Sequence, residues 1–360
     1  MRLLDKMGMI DFIRTHSPLF DAAGQVNPFS CSEWMLHFVE QIAETGWSFV
    51  VPEYHVGGLS LMLLYGTTAS AVRTQSVNNY YASLYSVLLS SVTDSLDRCR
   101  SIQALVGELA GLGRRTSILE FSPLDAHSED TINLRRYLSE GGWYVRQYAC
   151  FGNWYLPCAG LRFDDYMQAR DTRLLNTWKR KRKRFDMGTD GARLEIVTDP
   201  EQVPAAMDAF ERVYAKSWKR PEPYPDFVRR WAAICAERGW LRLGLAWAGD
   251  VPIAAQLWFT MHGRAYIFKL AYDEAYAKWS AGTVLSAHLF RQALDQDHVR
   301  EIDYLTGDDD YKKSWMSERR ERIGFIACNP RTMHGLWRAT REFAGYATHR
   351  LRQRAKSMRR

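Results

Sequence analysis

Apolar residues recur along this chain with two periods, and the order in which these periods alternate predicts an α/β protein. Alternating or continuous apolar runs predict strands, and apolar residues three and four positions apart predict helices. In the second half, the pattern predicts a strand, two helices, three antiparallel strands, a helix and a strand. The corresponding segments are 194–197, 204–218, 224–237, 241–248, 251–260, 265–272, 283–296 and 301–305.

The first half follows a looser version of the same order. Its turn 55–58, His-Val-Gly-Gly, predicts a hairpin because glycine tolerates the positive φ that tight turns require. A helix over 164–185 is predicted to connect the two halves. The other predicted segments are helices 31–44, 96–112, 131–140 and 332–354 and strands 47–54, 59–65, 71–76, 116–121, 143–156 and 322–328.

Length and composition extend this pattern to two domains. The chain has 360 residues, of which 46% are apolar, so it can bury one large core or two ordinary ones, and its length favours two. The predicted organisation is an N-terminal domain over 1–165, a basic connecting helix over 166–190, a C-terminal domain over 191–330 and a basic helix or tail over 331–360.

Cysteine usage and the N-terminal sequence favour a reducing compartment. The six cysteines form no CxxC pair and no metal-ligand spacing with histidine, so we expect them to be reduced and buried, with no bound metal. Residues 1–20 lack the sustained apolar core of a signal peptide, and no run approaches the roughly 18 apolar residues of a membrane span. Cytoplasmic localisation is therefore expected, with peripheral association with the inner membrane as an option.

Positive charge is concentrated in two segments. Residues 170–184 hold eight Lys and Arg against one Asp, and residues 331–360 hold nine against one Glu. Such surfaces attract the phosphates of a nucleotide, an RNA or a membrane, or an acidic carrier protein, although a solvated helix face has the same composition. An aromatic content of 13% also favours some rings lining a groove for an organic ligand, with an aromatic core as the alternative.

Candidate chemistry is concentrated in residues 271–315. A strand that ends in Tyr272-Asp273, a helix that opens at 280–283 (Ser-Ala-Gly-Thr) and a second strand that runs into Gly307-Asp308 together predict a cleft with a helix N-terminus aimed into it. Unpaired N–H groups and the helix dipole favour an anion at such a position. The segment is therefore suited to hold an anionic donor beside a catalytic group.

With these residues the chain resembles the Fem-type, tandem-GNAT acyltransferases, in the bacterial branch associated with polysaccharide and envelope biosynthesis. The resemblance covers 165–328 well and the first half loosely. It is carried by Arg173, Arg180, Arg182 and Lys183 in the basic helix, Trp218, the strand 251–255, Tyr272, Asp273, Tyr276, Ser280, Gly282, Asp303, Gly307, Asp308, Tyr311 and Lys312, and in the first half by 27–29, 78–81 and 152–154. The loop 278–283 departs from mainstream GNAT enzymes in having a single glycine.

This resemblance implies an α/β (α+β) fold with two GNAT-like domains, whose mixed, mostly antiparallel sheets are flanked by helices. It also implies a donor that is acyl-CoA, as acetyl-CoA or a longer species, or an acyl carrier protein. The implied cofactor-binding residues are Tyr272, Ser280, Gly282, Thr283 and Lys312. The candidate substrate-binding residues are Trp218, Asp273, Tyr276, Asn79, Tyr80 and Tyr81.

Three residues are candidates for catalysis. By the resemblance, Lys312 would stabilise the tetrahedral oxyanion or bind a donor phosphate, and Asp308 or Asp303 would act as general base or orienting carboxylate. Each has a structural alternative, with Asp308 as a helix N-cap and Asp303 as a buried partner of an arginine. Turns at 272–273 and 78–81 and a core position for Trp218 are the corresponding alternatives at the binding residues. Tyr311 and Trp315 lie four apart and are expected to pack on the sheet.

The predicted function is that of an N-acyltransferase, which moves an acyl group from a CoA or carrier-protein thioester to an amino group of a small molecule or an envelope or polysaccharide precursor. One alternative keeps this chemistry and takes aminoacyl-tRNA as donor, as Fem-type peptidoglycan enzymes do. The other is a non-enzymatic nucleic-acid-binding or scaffold protein on a decayed GNAT fold, whose nucleic-acid affinity would depend strongly on salt. The expected partners are the acceptor and an acidic carrier protein, with tRNA as second choice.

Overall fold

Residues 1–67, 72–89, 94–112, 116–170, 172–188 and 191–342 are described by a computed structural model, in which the chain divides into two units. The first unit comprises Met1–Phe151 with Glu321–Arg360, and the second comprises Gly152–Arg320. These bounds differ from the predicted ones because two strands cross between the units. The strand Tyr144–Pro157 begins in the first unit and ends in the second, and the strand Glu318–Cys328 begins in the second and ends in the first. A hydrophobic pattern predicts that a segment is a strand, but it does not say which sheet edge the strand joins.

The first unit is built on a sheet in the order β1-β2-β5-β6-β7-β14, in which β6 and β7 are parallel and the other pairs are antiparallel. A hairpin of β3 and β4 encloses the turn 55–58, as predicted. The strands of the first unit are β1 (Arg2–Leu4), β2 (Trp47–Val51), β3 (Glu53–Tyr54), β4 (Ser60–Leu61), β5 (Leu64–Thr67), β6 (Arg73–Ser76), β7 (Ile118–Asp125) and the C-terminal part of β14, a strand that spans Glu318–Cys328. The helices of this unit are α1 (Lys6–Thr15), α2 (Ser17–Gly24), α3 (Ser32–Gln41), α4 (Ser95–Ala110) and α5 (Glu129–Glu140), followed by helical residues 333–342.

Helix α4 crosses from β6 to β7 and anchors the core of the first unit. It buries Ile102, Leu105 and Leu109, which share one helix face, in the same cluster as Leu119 and Phe121 of β7. The parallel β6–β7 pair requires such a crossover connection, whereas the antiparallel pairs do not.

The second unit confirms the predicted order of strand, two helices, three antiparallel strands, helix and strand. Its sheet order is β9-β10-β11-β12-β13-β8, with β12 and β13 parallel. The predicted connecting helix 164–185 is two helices, α6 and α7. The elements of the second unit are the C-terminal part of β8, a strand that spans Tyr144–Pro157, and then α6 (Phe163–Gln168), α7 (Thr172–Gly188), β9 (Arg193–Val197), α8 (Val203–Ala215), α9 (Pro225–Glu237), β10 (Leu241–Ala248), β11 (Val251–Met261), β12 (Arg264–Tyr272), α10 (Ala281–Asp295), β13 (Glu301–Asp303) and α11 (Asp310–Trp315).

Helix α10 lies close against the centre of this sheet. Gly244 of β10 makes the approach possible, because a Cβ atom there would lie 2.8 Å from Leu289 Cδ1. Phe290 of α10 is fully buried, and its ring lies 5.3 Å from Tyr166, 5.4 Å from Trp258 and 4.9 Å from Trp315. The aromatic cluster fixes the position of α10 and therefore of its N-terminus. Of the helices in the described part of the chain, none is both long and apolar enough to cross a bilayer.

Candidate active site

The second unit contains a cleft of about 1070 Å³ where its two parallel strands separate. Residues 264–266 of β12 pair with 301–303 of β13, and β13 then ends while β12 continues to Tyr272, still paired with β11 on its other edge. The cleft occupies the wedge that this separation leaves. Its described lining is Ala169, Arg170, Thr177, Lys181, Trp218, Gln256, Leu270, Ala271, Tyr272, Ala277, Ser280, Gly282, Thr283, Ser286, Tyr304, Asp310, Tyr311, Lys313, Ser314 and Trp315.

Three buried polar side chains reach the cleft, those of Gln256, Ser286 and Tyr304. Gln256 Nε2 donates to Ser286 Oγ at 2.8 Å and to the Gly282 carbonyl oxygen at 3.0 Å, and its own Oε1 accepts from Trp258 Nε1 at 2.9 Å. Tyr304 is 3% exposed, and burial raises the pKa of its phenol well above the usual value. Tyr304 therefore stays protonated and remains a hydrogen-bond donor at neutral and moderately alkaline pH.

The N-terminus of α10 opens into the same cleft without a side-chain cap. Ser280 occupies the N-cap position in the left-handed conformation, with φ of 55°, and its hydroxyl makes no capping hydrogen bond. Lys181 of α7 lines the cleft beside it and donates from Nζ to Thr283 Oγ1 at 3.1 Å. Burial, with the neighbouring Arg180 as a smaller cause, lowers the pKa of the Lys181 ammonium. A phosphate bound here would favour the charged form of Lys181 and interact with the helix dipole.

Aromatic rings form the walls of the cleft. The Trp218 ring, half-exposed at 49%, lies 4.6 Å from that of Tyr272. On the α11 side, Tyr311 packs edge-on against Tyr304 with centroids 5.8 Å apart. Trp315 is held from below, since its carbonyl oxygen accepts a hydrogen bond from the Tyr166 hydroxyl at 2.6 Å. Tyr311 and Trp315 thus both pack, as predicted, and also line the cleft.

Five of the predicted binding residues come together in this cleft. They are Tyr272, Ser280, Gly282, Thr283 and Trp218.

The other predicted binding residues lie elsewhere. Asp273 is buried, accepts a hydrogen bond from the Ala275 N–H at 3.0 Å and pairs with Lys216 at 3.6 Å, which is the turn alternative. Tyr276 packs on Trp279, 4.9 Å between centroids.

The predicted acceptor residues of the first half belong to the first unit. Asn79 Oδ1 accepts from the backbone N–H groups of Tyr81 at 2.9 Å and Ala82 at 3.0 Å, which is the geometry of a turn. Tyr80 is exposed, and Tyr81 is buried. A role for Asn79, Tyr80 and Tyr81 in acceptor binding stays a prediction.

Asp303 lies in a buried polar cluster at the end of β13. Its Oδ1 accepts from Asn153 Nδ2 at 2.6 Å and from the Leu305 N–H at 2.6 Å, while Oδ2 accepts from Arg320. Arg320 also pairs with Glu301 at 2.9 Å. This is the arginine-paired carboxylate that was the alternative to catalysis, and it fixes the chain where it leaves the sheet toward Tyr304.

Asp308 and Lys312 hold the loop that follows. Asp308 accepts from Arg319 at 2.6 Å and Trp154 Nε1 at 2.7 Å, and the hydrogen bond from Arg319 is the main reason that the pKa of this carboxyl is lowered. Asp309, and not Asp308, is the N-cap residue of α11.

Lys312 is buried against the same loop. Its Nζ donates to the Thr306 carbonyl oxygen at 2.6 Å and pairs with Asp309 at 3.4 Å, and burial lowers its pKa. The described lining of the cleft includes none of Asp303, Asp308 and Lys312. Their catalytic roles stay predictions, and the geometry shows them as supports for the loop between Tyr304 and Tyr311.

The sequence reasoning missed Gln256, Ser286, Tyr304 and Lys181 as cleft residues. Gln256 is the single polar side chain in the apolar stretch 251–259, and that isolation was a usable signal. Lys181 was identifiable by its helical spacing from Trp178 and Phe185, which puts it on the packed face of α7. Ser286 and Tyr304 have no comparable signal, because isolated serines in helices and tyrosines at strand ends are common.

Thiolate and metal chemistry find no support at the described residues. All six cysteines are free thiols, and burial raises the pKa of Cys158 to about 12 and that of Cys150 to about 11. Among the residues that the structure describes, no group of three or more His, Cys, Asp or Glu is placed to hold a metal ion.

Most of the segment that lines the cleft matches a known protein family. Residues 172–313 match the model of the acetyltransferase (GNAT) domain family, and a comparison with curated proteins gave no match. The fold is similar to that of FemX, with a TM-score of 0.60, 9% identity and coverage of 91% of this chain and 97% of that one.

Two further structures share the fold at low identity. The structure of L-PGS from Bacillus licheniformis aligns with a TM-score of 0.52 and 11% identity, and the C-terminal domain of a proposed lysylphosphatidylglycerol synthetase from Agrobacterium fabrum with 0.50 and 13%. Each alignment covers 82% of this chain and 86% of the other. Residues 172–313 therefore match the GNAT domain family, and the chain as a whole has a fold similar to that of FemX.

Proposed function

We propose that this N-acyltransferase takes its acyl group from a phosphopantetheine thioester, as acyl-CoA or acyl carrier protein. The acceptor is an amino group of a small molecule or of an envelope or polysaccharide precursor. The observation that carries the proposal is the open wedge between β12 and β13, with an uncapped helix N-terminus at one end.

The shape and polarity of the wedge fit a phosphopantetheine arm. The arm is extended and carries amide groups, which are suited to hydrogen-bond with the edge of β12 in the manner of an added strand. Its phosphate would lie at the N-terminus of α10, where Lys181 adds positive charge. The apolar and aromatic walls formed by Leu270, Tyr272 and Trp315 would cover the acyl chain.

The reaction itself needs few charged groups from the protein. A neutral amine attacks the thioester carbonyl carbon, the C–N bond forms, the C–S bond breaks, the amine loses a proton and the leaving thiolate takes one up. Tyr304 lines the cleft and is protonated, so its hydroxyl can donate to the leaving thiolate as the C–S bond breaks. Backbone N–H groups along β12 would stabilise the oxyanion of the tetrahedral intermediate.

Aminoacyl-tRNA is the second candidate donor, and one observation favours a macromolecular donor of this kind over free acyl-CoA. Five cations on α7 are exposed to solvent: Lys179, Arg180, Arg182, Lys183 and Arg184. This row can contact an RNA backbone, and the chemistry at the cleft would be unchanged, with an ester carbonyl replacing the thioester. An acidic carrier protein would use the same row, so the row does not choose between these two donors.

Ligand-induced stabilisation tests the donor. The purified protein is heated with CoA, acetyl-CoA, longer acyl-CoAs, an acylated carrier protein and charged tRNA, because a ligand present at 100 times its Kd stabilises the folded state by about 2.7 kcal/mol. We expect the phosphopantetheine donors to raise the melting temperature. Thr283→Glu should abolish that shift by placing a carboxylate at the phosphate site, while the neutral Thr283→Gln retains it.

The alternatives give different results in the same experiment. Stabilisation by charged tRNA alone, with product formed from it, would transfer the proposal to the second donor. Salt-dependent binding of any nucleic acid, without stabilisation by a donor and without acyl transfer, would support the non-enzymatic alternative.

A further inference from the structure

The last helix in the described part of the chain, 333–342, turns its apolar residues toward solvent. Met333 is 85% exposed, Leu336 50% and Trp337 59%. Their spacing of three and four positions places all three on one helix face. A helix on the surface of a globular protein normally buries such a stripe, so this orientation is the reverse of the usual one.

The opposite face of the helix is attached to the first unit through small and polar residues. Gly335 is buried, and a Cβ atom there would collide with the Asn329 carbonyl oxygen, so the helix approaches the preceding backbone closely. Glu342, at the other end, is buried and pairs with Arg338 at 2.7 Å and with Arg146 of β8. These contacts fix the rotation of the helix and hold the apolar stripe outward.

Exposed cations flank the stripe. Arg331 precedes the helix, and Arg341 lies within it with its guanidinium carbon 5.3 Å from the centroid of the Trp337 ring. The sequence that follows, 343–360, adds six Lys and Arg and has no Asp or Glu. The combination of an apolar stripe with Trp and a cationic border is the composition of helices that lie in a membrane interface.

We propose that the face formed by Met333, Leu336 and Trp337, with Arg331 and Arg341, docks on an anionic lipid bilayer. The apolar side chains would enter the boundary between headgroups and acyl chains, and the arginines would contact the lipid phosphates. A second copy of the chain fits this face less well, because it would place one cationic border against another. The proposal does not depend on the donor assigned above, because it concerns a surface of the first unit.

Vesicle co-sedimentation of the full chain tests this inference. We expect binding to vesicles of phosphatidylcholine mixed with phosphatidylglycerol, weak binding to pure phosphatidylcholine, and loss of binding at high salt. The double variant Leu336→Ser with Trp337→Ser should weaken binding on the order of 100-fold, from the apolar area that no longer enters the lipid. Arg331→Gln with Arg341→Gln should weaken it roughly 25-fold, at about fivefold for each basic residue.

A matched control is Leu96→Ser on α4, which changes another apolar residue of similar exposure, 57%. It should leave vesicle binding unchanged, and circular dichroism of all variants checks that they fold. Binding that is equal for both lipid mixtures, or that the Leu336/Trp337 variant retains, would overturn the proposal. So would self-association that this variant abolishes in the absence of any vesicle binding, because the face would then be an interface between copies.

Discussion

In the described part of the chain, each unit has a crossover helix over a pair of parallel strands, and the space between those strands is open in the second unit and closed in the first. In the first unit, β6 and β7 are joined beyond their paired segment by side chains and loop backbone. Asn78 Nδ2 donates to the Ser122 carbonyl oxygen at 3.1 Å, Ser76 Oγ donates to the same oxygen at 3.0 Å, and the Tyr85 N–H donates to the Pro123 carbonyl oxygen at 2.6 Å. The cavity near this junction measures about 10 Å³, against about 1070 Å³ for the cleft of the second unit.

The N-termini of the two crossover helices, α4 and α10, also differ between the units. Helix α4 of the first unit is capped by Asp94, whose carboxylate accepts from the Leu96 N–H at 3.0 Å, and Asp97 adds a second negative charge in the first turn. Helix α10 has no side-chain cap, no acidic residue in its first turn and Lys181 beside it. A carboxylate at a helix N-terminus occupies the position that a phosphate would take. We therefore expect the donor to bind in the second unit and not at the corresponding position of the first.

Core truncation gives the largest expected effect. Phe290→Ala removes the ring that supports α10, and Phe121→Ala removes a ring of equal burial from the first unit. Each should lower the free energy of unfolding by about 3–5 kcal/mol. Only Phe290→Ala should also abolish stabilisation by the donor, because it releases the helix whose N-terminus forms the site. Loss of donor binding in both variants, measured below their melting temperatures, would contradict the assignment to the second unit.

Removal of one buried hydroxyl is the next test, since Tyr304 and Tyr85 are both 3% exposed. Tyr304→Phe should lower kcat by roughly 10²- to 10⁴-fold if its phenol protonates the leaving group. Tyr85→Phe in the first unit should leave kcat unchanged, and both variants should melt close to the parent.

The pH dependence sharpens this test. Tyr304 must be protonated to act as an acid, and burial raises its pKa well above the usual value. The wild-type rate should therefore not fall as pH rises through 10, where an ordinary tyrosine ionises. A fall near pH 10 that Tyr304→Phe removes would show that burial does not hold the proton.

The fold of the second unit could be predicted from the sequence because the signals for its strands are local. Periodicity predicted the antiparallel strands 241–248 and 251–260, and the register of Ala248 opposite Val251 confirms their pairing. The N-terminal helices α1 and α2 were missed although Asp5 caps α1 and Met9, Ile10 and Ile13 form its buried face.

The site was harder to predict because its lining depends on long-range geometry. The glycine and the hydroxyl residues of 280–283 were found, since a helix start has a local signature. Whether Asp303 faces a cleft or an arginine depends on Arg320, which is 17 positions away and pairs with it only after β13 enters the sheet. The separation of β12 from β13 has no signature at all in a pattern of apolar residues, and it creates the cleft.

The smallest expected effects come from the two helix caps, and they separate backbone from side-chain recognition. Asp94→Ala removes the cap of α4 and should lower the free energy of unfolding by about 1 kcal/mol without changing donor affinity. Ser280→Gly relieves a left-handed residue and should raise that free energy by up to about 1 kcal/mol, which shifts the melting temperature by roughly 2–4 °C. Calorimetric titration of the donor into both variants completes the test. If backbone N–H groups of α10 hold the phosphate, the Ser280→Gly variant keeps its affinity for the donor. A tenfold loss of donor affinity would show that the Ser280 hydroxyl is itself a ligand. The uncapped helix alone would then not explain the difference between the two units.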